Sequence, residues 1–158
     1  MGNRDRKDLK ILVVDDNRQL TDTIVEMLAR DGFSATGAYG GMEGVKRFQE
    51  GCFQLVVTDL KMPDVDGMDL LKTVKGIDNR VPVVIVTGYG TIRKAVEAIK
   101  CGAYDFIEKP VEREKLTLVV ERALERHNLF RQLGVFRGLT ISIPFWLILG
   151  IVLAKVWK

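Results

Sequence analysis

Three uninterrupted apolar runs mark the chain: ILVV at 11–14, LVV at 55–57 and VVIV at 83–86. Short β-branched runs of this kind, without polar alternation, are typical of strands buried on both faces of a parallel sheet. Two further segments alternate between apolar and polar residues, FSATGAY at 33–39 weakly and AYDFI at 103–107 more clearly. Alternation is typical of less buried strands, so the sequence predicts five strands in all.

Helical periodicity fills the stretches between these runs. Apolar residues recur three and four positions apart in 17–31 and in 91–101, and a glycine directly follows each of these two stretches. The predicted helices cover 17–31, 41–50, 67–76, 91–101 and 112–133. Because strand and helix alternate five times, the predicted fold class is α/β, with a doubly wound, five-stranded parallel sheet.

Polar side chains follow the predicted strands at the points where the strands end. Asp15 and Asp16 follow the first run, Thr58 and Asp59 follow the second, and Thr87 follows the third. The fifth strand leads into Lys109. Since the carboxyl ends of parallel strands meet at one edge of the sheet, we expect these side chains to share one crevice.

The chemistry of this set indicates phosphoryl transfer. Clustered carboxylates repel one another, and a hard divalent cation such as Mg²⁺ relieves that repulsion. The Lys109 ammonium and the Thr87 hydroxyl suit phosphoryl oxygens, so the set fits an aspartyl phosphate formed on a carboxylate nucleophile. A single Asp at a strand end is an ordinary turn former. The coincidence of four strand ends is what indicates a site.

The segments KILVVDDN, VVTDLKMPDVDGMDLL, VPVVIVTGYGT and AYDFIEKP together resemble the response-regulator receiver domain of two-component signalling. The resemblance covers about residues 8–127 and is closest to the receivers of enhancer-binding transcription activators. It implies a flavodoxin-like receiver fold and phosphorylation of Asp59 by a histidine kinase. It also implies that Mg²⁺ is held by Asp16, Asp59 and the Lys61 backbone carbonyl, with Asp15 assisting.

The same resemblance implies how the switch works. Thr87 and Lys109 would bind the phosphoryl oxygens, Phe106 holds the family's switch-aromatic position, and the Lys109–Pro110 peptide bond is expected to be cis. The expected output surface comprises helix 91–101, strand 103–107 and helix 112–127. It would act on a downstream protein or on a second copy of the chain, as a homodimer. Neither direct nucleic-acid binding nor catalysis beyond autophosphorylation and autodephosphorylation is expected.

A rival interpretation is a phosphatase of the haloacid dehalogenase class, which also uses an Asp nucleophile in an α/β fold. That class needs a second Asp two residues after the nucleophile on the first strand, and Asn17 stands two residues after Asp15. His127, the one histidine of the chain, is expected on a helix surface and not as a phosphohistidine. Cys52 and Cys101 show no metal-binding or disulfide-framework spacing.

The C-terminal segment LTISIPFWLILGIVLAKVWK differs in character from the rest, since no charge lies between Leu139 and Ala154. A spanning helix needs about 20 apolar residues, and 138–154 supplies a short one that Lys155 and Trp157 can extend. Residues 1–108 carry 15 Lys and Arg against 17 Asp and Glu, whereas 109–158 carry 9 against 4. The basic residues before the span place the receiver in the cytoplasm.

We therefore predict four parts: a flexible arm at 1–9, a receiver domain at 10–127, a linker or helix extension at 128–137, and a transmembrane helix at 138–158. Residues 138–157 would anchor the chain in the bacterial inner membrane, near a kinase or a membrane-bound downstream protein. Three alternatives stay open for this tail. It could be an interfacial helix, a segment that docks a partner on a soluble single-domain receiver, or the product of a truncation or frameshift.

Overall fold

Strands and helices alternate along the chain in the predicted order. The computed structural model describes residues 6–88 and 92–129. The strands are β1 (Lys10–Val14), β2 (Ser34–Ala38), β3 (Leu55–Asp59), β4 (Val83–Thr87) and β5 (Asp105–Glu108). The helices are α1 (Arg18–Arg30), α2 (Gly41–Glu50), α3 (Gly67–Ile77), α4 (Ile92–Lys100) and α5, which is described over 113–129. The predicted helical residues 91 and 130–133 lie outside the described part.

All strand pairs are parallel, and the sheet order is β2-β1-β3-β4-β5. The five-stranded, doubly wound α/β fold is therefore confirmed. The direction of winding reverses between β1 and β3, so a crevice opens beyond the carboxyl ends of these two strands. In folds of this class, that crevice is where ligands bind.

The apolar runs supply two cores, one on each face of the sheet. Ile11 and Val13 pack with residues of α1 and α5, whereas Leu12 and Val14 pack with residues of α2, α3 and α4. Every residue of β3 and β4 is buried. Because successive strand side chains point to opposite faces, a strand covered on both sides needs the uninterrupted apolar runs seen in the sequence.

The N-terminal segment contacts the rest of the domain where the structure describes it. Within the predicted arm at 1–9, Arg6 donates a 3.1 Å hydrogen bond to the Asp31 carbonyl and lies 2.5 Å from a Glu121 carboxylate oxygen. The Arg6 guanidinium also lies over the Phe33 ring, and Leu9 is buried. An ion pair at Arg6 and the burial of Leu9 thus join this segment to the domain, and residues 1–5 lie outside the described chain.

His127 corrects a prediction. It was expected on a helix surface, but only 5% of it is exposed, and its Nδ1 lies 3.0 Å from the Arg80 carbonyl oxygen. The reason is that this side of α5 faces the loop between α3 and β4, which covers the imidazole.

The apolar C-terminal tail lies beyond the described residues. None of the helices within 6–88 and 92–129 combines the length and the hydropathy of a membrane span. The predicted transmembrane helix at 138–158 and most of the predicted linker at 128–137 lie outside these ranges.

Candidate functional site

The register of the sheet brings three predicted carboxylates together. Val14 on β1 is paired with Thr58 on β3, so the residues that follow them, Asp15 and Asp59, stand at the same level. Carboxylate oxygens of Asp15, Asp16 and Asp59 all lie within 4.8 Å of one another. The structure therefore assembles the predicted acidic cluster from two neighbouring strand ends.

Burial makes this cluster electrostatically costly. Asp15 is 2% exposed and Asp59 is 6% exposed, whereas Asp16 faces solvent. Burial raises the pKa of Asp59 above its ordinary value, and the Asp15 carboxylate adds to the rise, while the charge of Lys109 opposes it. A site that disfavours its own negative charge in this way favours a bound cation.

Lys109 is the cation that the protein itself supplies. Its Nζ donates a 2.9 Å hydrogen bond to Asp15 Oδ2 and lies 3.3 Å from Asp59 Oδ1. Burial opposes its charge, but the hydrogen bond to Asp15 and the charge of Asp59 raise the pKa of Lys109 above its usual value. The Lys109 backbone amide donates to the Thr87 carbonyl at 2.8 Å, and the predicted cis Lys109–Pro110 peptide bond is confirmed.

Thr87 and Phe106 flank the cluster without belonging to it. Thr87 ends β4, is 2% exposed, and its hydroxyl donates a 3.3 Å hydrogen bond to the Gly88 carbonyl. β3 and β4 are in register at Asp59 and Val86, which places Thr87 one residue beyond the level of Asp59. Phe106 is partly buried and packs against the core under α2, α3 and α4. Its position as a core aromatic that is still partly accessible suits a side chain that changes place.

The start of α1 fixes the position of Asp15. The Asn17 amide donates a 2.8 Å hydrogen bond to Asp15 Oδ1, and the Thr21 hydroxyl donates to the Asp15 carbonyl at 3.1 Å. The Asn17 side chain accepts from the Leu20 amide and caps α1. The place where the rival phosphatase mechanism needs an acid therefore holds a helix cap.

The loop between β3 and α3 is tied to α2 by a carboxylate that sequence reasoning missed. This loop carries Lys61, whose carbonyl is the fourth predicted metal ligand. Asp64 accepts hydrogen bonds from the Gly41 amide at 3.1 Å and the Met42 amide at 2.9 Å, both at the start of α2. Hydrogen bonds from the Met42 and Val65 amides lower the pKa of Asp64. No sequence signal pairs these segments, because the contact joins residues far apart in the chain.

Gly67 lets α3 begin against the end of β3. A Cβ atom at Gly67 would lie 2.1 Å from the Asp59 carbonyl oxygen, closer than any real contact allows. The Asp66 side chain caps the helix by accepting from the Asp69 amide at 3.0 Å. The packing of α3 thus depends on glycine directly beside the acidic cluster.

The matching family model describes the response regulator receiver domain and covers residues 11–121. The chain belongs to this family. As a receiver domain of a response regulator it is a phosphoacceptor switch, and receiver domains bind Mg²⁺ at an acidic pocket such as the one formed by Asp15, Asp16 and Asp59. The predicted resemblance to receiver domains is therefore confirmed.

Curated relatives match over the receiver and extend beyond it. Regulatory protein AtoC of Escherichia coli is 32% identical over 124 residues, which are 78% of this chain and 27% of AtoC. Transcriptional regulatory protein FixJ of Bradyrhizobium diazoefficiens is 38% identical over 119 residues, which are 73% of this chain and 57% of FixJ. The chain thus spans only part of the length of these relatives.

Solved structures share the fold. A response regulator receiver domain protein from Clostridium thermocellum superimposes with a TM-score of 0.75 at 36% identity, over 77% of this chain and 98% of that one. The receiver domain of NtrX from Brucella abortus gives a TM-score of 0.70 at 38% identity, over 73% of this chain and 98% of that one. Both matches support the flavodoxin-like receiver architecture.

Proposed function

We propose that Asp59 is the residue that accepts the phosphoryl group, and that the donor is the phosphohistidine of a histidine kinase. An Asp59 carboxylate oxygen attacks phosphorus, the phosphorus–nitrogen bond breaks, and the imidazole leaves. The observation that carries this proposal is the position of Asp59, which is buried at the end of β3, within 4.8 Å of Asp15 and Asp16 and 3.3 Å from the Lys109 ammonium. Asp59 is thus a carboxylate nucleophile with the Lys109 ammonium on one side and further oxygen ligands for a cation on the other.

The donor set for a metal consists entirely of oxygen atoms, as Mg²⁺ prefers. We assign the ion to the carboxylates of Asp15, Asp16 and Asp59 and the Lys61 carbonyl. When bound, Mg²⁺ neutralises charge on the phosphoryl oxygens. The protein's own contribution is to hold the ligands: Asn17 and Thr21 fix Asp15, and the Asp64 contact to α2 fixes the loop that carries Lys61.

The proposed switch depends on two hydrogen bonds, one from Lys109 and one from Thr87, that a phosphoryl group on Asp59 would replace. Its oxygens are stronger acceptors than the carboxylate, so the Lys109 ammonium shifts toward them from Asp15. The Thr87 hydroxyl leaves the Gly88 carbonyl for a phosphoryl oxygen, and Phe106 moves with it. On α4, Val96 and Ile99 are exposed apolar residues that a downstream partner or a second copy of the chain would cover.

The C-terminal tail supports a second part of the proposal, a tether to the inner membrane through 138–157. Ten residues between positions 139 and 153 are Leu, Ile, Phe or Val. At roughly 0.3–0.6 kcal/mol each near the bilayer centre, together they favour insertion by about 3–6 kcal/mol. Pro144 and Gly150 reduce this margin. The receiver would then lie in the cytoplasm, where the kinase phosphorylates it; the alternative is a tail that docks a partner protein.

The phosphoacceptor assignment is tested by intact-mass spectrometry of the full chain treated with acetyl phosphate and Mg²⁺. A phosphoryl adduct is expected in the wild-type chain, and none is expected in Asp59→Asn or with the Mg²⁺ chelated. Asp66→Asn is the matched control, because it removes a carboxylate from the same region and should keep the adduct. An adduct that persists in Asp59→Asn contradicts the assignment.

The tether is tested by fractionating cells that express the full chain. The protein should stay in the membrane pellet through a carbonate wash, and deletion of 136–158 should release it. Leu147→Arg places a charge near the middle of the span at a cost of about 2.5–3.5 kcal/mol and should weaken retention, whereas Leu147→Ala should not. Release of the wild-type chain by carbonate alone contradicts a spanning helix.

A further inference from the structure

An open groove lies at the amino-terminal edge of the sheet, opposite to the edge that carries Asp59. Its volume is about 390 Å³. One wall is the connection from α2 to β3, which carries Cys52 and Phe53, and the other is the connection from α3 to β4, which carries Val81. His127 of α5 also lines the groove. The groove is therefore separate from the phosphoacceptor site and lies next to the end of α5.

Apolar side chains from both walls meet in this groove. Phe48 and Phe53 stack with their ring centres 6.5 Å apart, and Ile77 at the end of α3 is 53% exposed. The one charged pair among the described lining residues is Asp78 with Arg80, which are joined by two hydrogen bonds of 2.9 Å. Because these two charges neutralise each other, the groove suits an apolar occupant and not an ionic one.

The end of α5 brings the next part of the chain to the groove. His127 is almost fully buried and its Nδ1 lies 3.0 Å from the Arg80 carbonyl oxygen, so α5 is held at the groove two residues before the described chain ends. Residues 130–136 then continue the sequence as FRQLGVF. In a helix, a residue three positions after His127 lies on the same face, and that residue is Phe130. The side of α5 that faces the groove thus leads directly into an apolar segment.

We propose that the groove binds residues 130–136 of the same chain. Phe130 and Leu133 extend the apolar side of α5, and Gly134 is a residue at which a helix can end and the chain can turn back. Phe136 is then the aromatic side chain that returns to the groove. The docked segment removes from water the apolar surface that the described part of the chain leaves exposed.

The path from α5 back to the groove is short. A helix from 129 to 133 rises about 6 Å, and three further residues extend about 10 Å. Docking holds the start of the apolar tail at 138 near the amino-terminal edge of the sheet and leaves the Asp59 edge turned away from it. This orientation adds to the proposed membrane tether, but the binding of 130–136 to the groove does not depend on that tether.

The test is disulfide formation in the full chain, purified in detergent and oxidised with diamide. Val135→Cys places a thiol beside Phe136, and Cys52 on the groove wall is exposed. Cys101→Ser in the same chain leaves Cys52 as the one native partner. Intact mass should show a monomer that has lost two hydrogens, because docking brings the two thiols within disulfide reach. Neither a phosphodonor nor a bilayer is present, so the result is independent of phosphorylation at Asp59 and of the tether.

Cys101 provides the matched control. It is also exposed at the amino-terminal edge of the sheet, but it lies between α4 and β5, outside the groove. The variant with Val135→Cys and Cys52→Ser should therefore form its intramolecular disulfide at least about tenfold more slowly. A segment that moves freely would reach both native thiols alike.

A second pair of variants tests the groove wall, in the chain that carries Val135→Cys and Cys101→Ser. Ile77→Asn removes an apolar side chain from the wall and should slow the intramolecular disulfide about tenfold. Leu118→Asn is the control, since Leu118 is 47% exposed on α5 but lies outside the groove, and it should leave the rate unchanged.

Four results overturn the proposal. The first is the absence of an intramolecular disulfide with Cys52, and the second is an equal rate with Cys52 and Cys101. The third is equal behaviour of Ile77→Asn and Leu118→Asn. The fourth is a disulfide-linked dimer in place of the oxidised monomer, which would make a second copy of the chain the occupant of the groove.

Discussion

The hydrogen bonds from α2 to Asp64 predict a specific loss of stability on substitution. In Asp64→Ala, the Gly41 and Met42 amides at the start of α2 lose their carboxylate partner. These amides belong to the first turn of the helix, where no intrahelical acceptor exists, so Asp64 acts as a cap supplied from another loop. The substitution should therefore destabilise α2 and release the loop that carries Lys61.

The size of the expected loss in the free energy of unfolding follows from the contribution that helix caps make to stability. Removing a side-chain cap costs about 0.5–2 kcal/mol. Asp64 accepts two hydrogen bonds, but its carboxylate is exposed to water, which competes for the same amides. We therefore expect a loss of about 1 kcal/mol in the free energy of unfolding, or about 3 °C in the unfolding midpoint for a chain of this size.

The effect of Asp64 should also depend on pH in a defined direction. The pKa of Asp64 is lowered in the folded state, so its contribution is fully present above its unfolded pKa of about 4 and is lost as the pH falls through the folded pKa. Urea unfolding at neutral and acidic pH measures both effects, with Asp8→Ala as the control for an exposed carboxylate. If Asp64→Ala matches wild type at pH 7, or if its loss of stability persists undiminished at low pH, the Asp64 carboxylate does not cap α2.

Three further predictions concern other contacts. The Arg113 guanidinium donates a hydrogen bond to the Asp31 carboxylate, and this bond lowers the pKa of Asp31. Asp31→Asn should therefore lower the free energy of unfolding by about 1 kcal/mol at pH 7 and by progressively less below about pH 4. A pH-independent loss in urea unfolding would contradict this. Asp16→Asn should weaken Mg²⁺ binding in calorimetry while the fold is kept, and unchanged affinity would place the ion elsewhere. Gly67→Ala should destabilise the domain by about 1–3 kcal/mol, because the new methyl group meets the Asp59 carbonyl, and an unchanged unfolding midpoint would disprove that contact.

Most of the architecture could be predicted because the central strands have a distinctive apolar sequence pattern. The runs at β1, β3 and β4 are apolar on both faces, a pattern that only a covered central strand requires. The edge strand β5 was harder, since it begins at Asp105 and not at 103, where the alternation suggested. Ala103 and Tyr104 alternate in the same way but belong to the irregular connection between α4 and β5, and alternation alone cannot separate such a connection from a strand.

The candidate site was predictable to the same degree and for a related reason. The carboxyl ends of parallel strands meet at one edge of the sheet. Once the strands are known, Asp15, Asp59 and Thr87 are therefore expected at that edge, as the register shows. Contacts between distant segments were not predictable. Asp64 reaches the start of α2 and His127 reaches the Arg80 carbonyl through the packing of loops, and no local pattern in the sequence encodes either contact.

Chemical mapping of the modified residue shows whether Asp59 carries the phosphoryl group. The full chain is treated with acetyl phosphate and Mg²⁺, the acyl phosphate is reduced with borohydride, and the peptides are sequenced by tandem mass spectrometry. Reduction converts an aspartyl phosphate to homoserine and leaves unmodified aspartates unchanged. We predict homoserine at position 59 alone. Homoserine at position 15 or 16, or at no position, would contradict it.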